Sequence, residues 1–430
     1  MELRHVVFYV SAHGLGHLTR CVEVATALFE RVPARIKVKI TFVTSFSNAL
    51  VLGAERSAVE DTYVLKLSSR SSPDSTGSTG SRDSTGSNES SVVVIRDRDL
   101  DAGAIQRDAF CIDVDATRDA AMAFHANIDR LIDEETRWLE GSGADLVVSD
   151  VVGLALPAAR RAGICGVLMT NFSWGFIYRP FVRGDTSTGP GVSGDKDGND
   201  IDSKFQEVVS REDAMLDDAV RYFRLPGYSE IEPRSLDSRT TDVPLIVRAQ
   251  REGREAMRRR LGIGAETKVC LLMVGGHSLG VAMDWWDIDF GGASWVCFVT
   301  ASVLGQQTER DALPPYVRVV APEAYIPDWV AMADVVVGKI GYGTVSECLA
   351  AGTPLVYVPR KNFAEERDMV SLLEAHRAGL EMSRETFLSG RWGDALASAV
   401  RMRPGVLEAD TSGASAVADE LITLFESRLL

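Results

Sequence analysis

Short apolar runs rich in Val, Ile, Leu and Phe alternate along this chain with longer stretches whose apolar residues recur every three or four positions. The runs Arg4–Val10, Val38–Thr44, Asp145–Ser149 and Gly166–Thr170 read as buried strands in the first half. Lys268–Val274, Trp295–Thr300, Val317–Val320, Asp334–Val337 and Leu355–Val358 read the same way in the second. Between them the period is helical: Leu18, Val22, Ala25 and Phe29 fall on one helix face. Strands that alternate with helices predict parallel, doubly wound sheets.

Two stretches break the pattern. Residues 67–91 are almost wholly Ser, Thr, Gly, Asp, Asn and Arg, with a near-repeat of DSTGS, and residues 184–203 are polar and Gly-rich. Such composition has too little apolar surface to offset ordering, so both are expected to be disordered surface loops. A single core rarely grows past about 250–300 residues, so 430 residues predict two domains. Pro233, Ser235, Asp237 and Pro244 interrupt the periodicity and mark the junction. The expected domains are 1–235 and 236–430, with the last helix folding back onto the first.

Composition narrows the function. The net charge is −15, which disfavours nucleic-acid and anionic-membrane partners because their phosphates are repelled. The six cysteines form no C-x-x-C pair and read as free buried thiols of a reducing compartment. Without a signal-peptide pattern or an apolar run near 18 residues, a cytoplasmic location is expected.

Three glycine turns follow predicted strands. SAHGLGHLTR at 11–20 opens a helix, and Gly14 and Gly16 allow backbone N–H groups to approach an anion or polar substrate. A dinucleotide fingerprint fits poorly, because Thr19 holds the third glycine position and no acid ends the second strand. VGGHSLG at 274–280 has Gly275, Gly276 and Ser278 but not the Lys-Ser/Thr ending of a Walker loop. In GKIGYGTVSECLAAGTPLVYVP at 338–359, Gly341, Gly343 and Thr344 start a helix that bears Glu347. The turn suits a phosphate, and the carboxylate one turn on suits ribose hydroxyls.

These turns, with LDAGAIQRDAF at 100–110, ADLVVSDVV at 144–152, TNFSWGFIY at 170–178, RLPGY at 224–228 and DVPLIVR at 242–248, carry a resemblance. The chain resembles the GT-B glycosyltransferases, and within them the glycosyltransferase-like half of the plant L-arabinokinases. More distantly it is similar to the cell-wall N-acetylglucosaminyltransferases and the plant UDP-sugar transferases. The resemblance implies two Rossmann-like doubly wound α/β domains facing a central cleft. It implies that His17 is a general base and Asp150 the carboxylate that orients it. Read from the residues alone, a neutral imidazole suits a hydroxyl proton, yet Asp150 also fits as the N-cap of a helix over 151–161.

The resemblance further places Gly16, Gly275, Gly276, Ser278, Lys339, Gly341, Gly343 and Thr344 around a diphosphate, Glu347 at the ribose, and Glu365 and Glu366 at the sugar. His13, Asn171 and Trp174 fall on the acceptor side. Lys339 stands where plant-type enzymes commonly have His, and Glu365–Glu366 where they have a Gln or Asp-Gln. The run 364–368 reads equally as a solvated helix face. The D-x-D pairs Asp287/Asp289 and Asp113/Asp115 are expected by chance in so acidic a chain, and no metal or cofactor is assigned. The implied function is inverting transfer of a sugar from a UDP-sugar to a hydroxyl acceptor. A non-catalytic sugar-nucleotide sensor or partner module and a sugar-nucleotide epimerase are the alternatives.

Overall fold

The computed structural model describes residues 2–45, 55–56, 62–67, 91–182, 196–275, 278–280, 288–292, 294–304, 313–402 and 409–427, with backbone alone for 55–56, 62–67, 91–92 and 196–201. Two parallel sheets organise them. The nine-stranded sheet runs Thr240–Asp242, Arg221–Arg224, Cys165–Thr170, Leu146–Asp150, Glu2–Val10, Ile36–Thr44, Ser91–Asp97, Thr62–Leu67 and Glu55–Arg56 in spatial order. Its first seven strands are parallel, and the last two join antiparallel. The second sheet has six strands, all parallel: Val317–Val320, Trp295–Thr300, Lys268–Met273, Val335–Gly338, Leu355–Tyr357 and Gly379–Glu381.

Helices cover these sheets, so their central strands are continuous apolar runs. Val6 to Val10 and Val269 to Met273 are buried without alternation. Each expected strand forms, to within a residue or two at its ends. On the first helix, Leu15–Arg31, the buried stripe is Leu18, Cys21, Val24, Ala25 and Leu28, with Val22 and Phe29 only packed against its flank. The stripe is wide because the last helix, Gly413–Ser427, also lies on it. Arg31 donates to Asp419 through Nε at 2.7 Å, and Arg35 pairs with Glu426.

Three sequence boundaries shift. Thr240–Asp242 lies beyond residue 235 yet belongs to the first sheet. Leu67 and Ser91, assigned to the first loop, end and begin paired strands, and 68–90 lie outside the described residues. Residues 196–203, assigned to the second loop, open the helix Lys196–Leu216, and 184–195 again lie outside. Among the described side chains of this helix, the first buried ones are Phe205, Val208 and Val209. Among the described residues no helix is long and apolar enough to cross a membrane.

One short hairpin joins the halves. Gln106–Asp108 and Cys111–Ile112 pair antiparallel, and the turn between them inserts into the second half. Phe110 is fully buried among Cys270, Leu272, Val337 and Phe387, edge-on to the Phe387 ring at 5.3 Å. Around it, Ala109 N donates to Leu279 O at 3.2 Å, Lys361 N to Phe110 O at 2.8 Å and Ile112 N to Lys361 O at 3.2 Å. Arg384 donates to both oxygens of Asp108, at 3.1 and 2.7 Å.

Phe110→Ala is expected to destabilise the protein by about 3–5 kcal/mol, because it leaves a cavity in a packed core. Hydrogen exchange by mass spectrometry should show the loss in the strand Lys268–Met273, far from residue 110 in sequence. Unchanged protection there would mean that the hairpin only rests on the surface.

Candidate active site in the cleft between the sheets

A cavity of about 360 Å³ lies between the two sheets. Every segment of its wall but two lies at or follows the carboxyl end of a parallel strand: His13–Arg20, Asn171–Trp174, Met273–Gly275, Thr300–Ser302, Val320–Ile326, Lys339–Glu347 and Arg360–Glu365 contribute lining residues. The crevice at strand ends is where open α/β sheets take ligands. The remaining wall is Ala104 and Gln106 at the base of the hairpin, and Arg248.

On the first-half wall, Gly14 is the N-cap of the first helix with φ 142°, and no side chain caps the helix. His17 follows on its first turn. His17 Nδ1 lies 3.0 Å from Asp150 Oδ1. Asp150 ends a strand and is fully buried, and the next helix starts only at Ala155, so Asp150 is not its N-cap. The residue that the sequence did not single out is Arg20, one turn beyond His17. Its Nε donates to Asp150 Oδ2 at 2.6 Å, its Nη2 to Asp150 Oδ1, and its Nη1 to Asn171 Oδ1 at 2.8 Å. Burial pushes the Asp150 carboxyl up, but the charges of Arg20 and His17 overcome this and lower its pKa to about 2. Burial likewise opposes the Arg20 charge, and Asp150 overcomes it, raising the Arg20 pKa.

The residues expected on the acceptor side are held rather than free. Asn171 spends its amide on the far wall, donating Nδ2 to Glu365 Oε1 at 2.7 Å. Trp174 is buried and donates Nε1 to Asp101 Oδ2 at 2.9 Å. His13 Nε2 faces Asp101 Oδ1 at 3.4 Å. Its ring occupies the space above Gly103, whose φ is +61° and whose added Cβ would fall 2.1 Å from His13 Cγ. Only glycine fits there.

On the second-half wall, Gly275 lines the cavity, Gly276 lies outside the described residues, and Ser278 is exposed and away from the cavity. Gly341 precedes the helix Tyr342–Ala351, so backbone N–H groups at Gly343 and Thr344 open toward the cleft. Gly16 and Gly343 face each other so closely that a Cβ on Gly16 would lie 3.5 Å from Gly343 N. Lys339 is buried in the same wall. Burial and the Arg360 charge lower its pKa to about 7, against the raising effect of Glu365 and Glu366.

Glu347 is not simply an acid of the first helical turn. Its Oε1 accepts from Arg248 Nε at 2.9 Å and Nη2 at 2.5 Å, with burial raising its pKa and Arg248 opposing. Glu365 and Glu366 part company. Glu365 lines the cavity, whereas Glu366 turns to Arg360 and accepts from its backbone N at 2.7 Å and Nε at 2.9 Å. Both are buried, so the run is not a solvated helix face.

For metals, Asp113 caps the helix Val114–His125 and Asp289 accepts from Gly291 N, while Asp287 lies outside the described residues. His13, Asp99 and Asp101 each bring one ligand atom within 4.8 Å of the others.

The comparisons agree with this architecture. No family model matches the chain. It is 33% identical over 409 residues to an L-arabinokinase of Arabidopsis thaliana, covering 93% of this chain and 33% of that protein. The chain thus spans about a third of the length of that relative. Among solved structures it is similar to a glycotransferase of kitacinnamycin, with a TM-score of 0.62 at 17% identity and 98% of both chains covered. It is also similar to the Arabidopsis thaliana protein UGT89C1 complexed with UDP, with a TM-score of 0.53 at 12% identity, covering 98% of this chain and 99% of that one. The fold is therefore that of the GT-B glycosyltransferases. In sequence, the chain is similar over most of its own length to about a third of that L-arabinokinase.

Replacing Asp150 with Ala should destabilise the protein by about 3–5 kcal/mol near pH 7, because it leaves Arg20 buried and unpaired. The Asp150 contribution belongs to a lowered pKa. It is present above the ordinary carboxylate range and lost as pH falls toward 2. Denaturant titrations of wild type and variant should therefore converge in acid. A constant gap down to pH 2 would contradict the pairing.

Proposed function

We propose that this chain transfers a sugar from a UDP-sugar to a hydroxyl acceptor, with inversion and without a metal at the diphosphate. The observation that carries the reading is that one cavity is lined by the glycine turns, Lys339 and His17, with Asp150 hydrogen-bonded behind His17. The UDP bound by one structural neighbour supports the choice of donor.

In this reading the diphosphate lies against the backbone of Gly275, Gly343 and Thr344, with Lys339 beside it. Glu347 keeps one oxygen on Arg248 and gives the other to a ribose hydroxyl. Glu365 meets the sugar. The acceptor enters on the side of His13 and Trp174. As the acceptor oxygen bonds to the anomeric carbon, its proton passes to His17 Nε2, and the carbon–phosphate-oxygen bond breaks with its electron pair on the diphosphate. Charge then develops where Lys339 and the N–H groups are already placed, which is the efficient way to stabilise it. A nucleotide-binding module without turnover is the second reading. It is favoured by Arg20, which shares the Asp150 carboxylate with His17.

Calorimetry with UDP should give binding that weakens as pH rises through about 7, where Lys339 loses its proton. Lys339→Arg should flatten this dependence, since a guanidinium stays charged. Binding that is absent at millimolar UDP, or indifferent to pH in wild type, counts against the diphosphate site. Glu347→Ala should weaken UDP by the loss of a charge-assisted hydrogen bond, about 1.5–3 kcal/mol, and equal affinity would confine Glu347 to its pairing with Arg248.

A further inference from the structure

We propose that Arg20 is the positioning residue of this site, holding the His17–Asp150 pair in register with the donor half of the cleft and restraining the positive charge that His17 can accept. The proposal rests on the sugar-transfer reading for its kinetic consequence only.

Arg20 touches every component of such a link. It is 2% exposed, and its donors reach both oxygens of Asp150 and the amide oxygen of Asn171. Asn171 passes the connection across the cleft to Glu365. The face of the guanidinium lies 4.8 Å from the centre of the Tyr342 ring, on the helix that the third glycine turn begins. The Tyr342 hydroxyl in turn accepts from Ile246 N at 3.1 Å. One first-half side chain therefore senses both the glycine-turn helix and the carboxylate at the sugar end. A planar fork with donors in fixed directions can do this, and a lysine cannot reproduce it.

The same contacts limit His17. Asp150 is the carboxylate that faces it, and two strands of hydrogen bonding compete for that group: Arg20 takes both oxygens and the Cys21 thiol lies 3.4 Å from Oδ2. Arg20 Nη2 also stands 3.1 Å from His17 Nδ1. Nδ1 carries a hydrogen when it donates to Asp150, so this approach is a close contact of a cation and not a second hydrogen bond. The ring that faces His17, Phe172, is uncharged at 5.6 Å, and Tyr342 and Glu365 line the same cavity. An imidazolium formed at His17 would thus sit beside a fixed guanidinium, in a site of low dielectric where such repulsion is strong.

The test compares wild type, Arg20→Gln and Arg20→Lys of the full chain. The imidazole of His17 is titrated by ¹H–¹⁵N NMR, which needs no turnover. Removing the cation in Arg20→Gln should move the His17 midpoint to higher pH, with Arg20→Lys between the two. An unmoved or lowered midpoint in folded Arg20→Gln overturns the proposal. If Arg20→Gln does not fold, Arg20→Met, which also removes the cation, takes its place and must show the upward shift. In kinetics, kcat should fall by less than the about 10²–10⁴-fold expected for loss of a general base, with KM for the donor unchanged and the acidic limb of the pH profile moved upward. A loss that falls on donor KM with an unmoved limb also overturns it. Wild type that binds UDP but transfers no sugar would sink the transfer reading while leaving the NMR comparison decisive for Arg20.

Discussion

The buried pairing of Arg20 with Asp150 is the constraint around which this molecule is arranged. Removing two charges from water is costly, and their attraction offsets this only when geometry is good and the remaining hydrogen-bonding capacity is used. Both conditions hold: the fork is bidentate, the third donor finds Asn171, and the spare face finds Tyr342. Meeting them requires two strand ends and a helix start to converge within hydrogen-bonding distance, with a ring of the opposite half stacked on the free face. The parallel sheets supply that convergence, since Glu2–Val10, Leu146–Asp150 and Cys165–Thr170 are neighbours whose carboxyl ends open on the same side.

Polar contacts then extend from this centre. Glu365 is reached through Asn171, and Arg360 lies between the Glu365 and Glu366 carboxylates. Lys339 stands in the field of all three, and it is buried enough that its proton is loosely held. This second-half wall is therefore a balanced set of charges and not a simple basic patch, as expected of a chain with net charge −15. A bound diphosphate would tip that balance, which makes the site responsive to its ligand's charge as well as its shape.

Much of the scaffold was legible because central parallel strands have no polar face: the runs around Val7, Val148, Leu271 and Val336 could be read directly. The interior strand Ser91–Asp97 escaped where the polar run meets it, and several others that escaped lie at or toward sheet edges. Arg221–Arg224, Thr240–Asp242 and Gly379–Glu381 are short and carry charged or small residues, as edges tolerate. In the site, His17 and Asp150 were picked out and lie together. Arg20 was in plain view in the same motif, at the i+3 position from His17, but its meaning depends on a strand end 130 positions away. Glu365 and Glu366 show the opposite limit. Adjacent identical residues point to different places because only one faces the cavity, and no local pattern distinguishes them.

The hairpin that carries Phe110 bears on how such a protein could be rebuilt from parts. GT-B halves invite description as separate modules, one for each substrate. Here a residue encoded in the first half is a core residue of the second, and its hairpin is held by Leu279, Lys361 and Arg384. The last helix crosses in the other direction and lies on the first. Each half is thus completed by sequence borrowed from its partner. A chimera that joined the two halves of different relatives at the linker would pair a foreign plug with a native socket. Recombination within such a lineage would succeed only where the hairpin and its socket travel together.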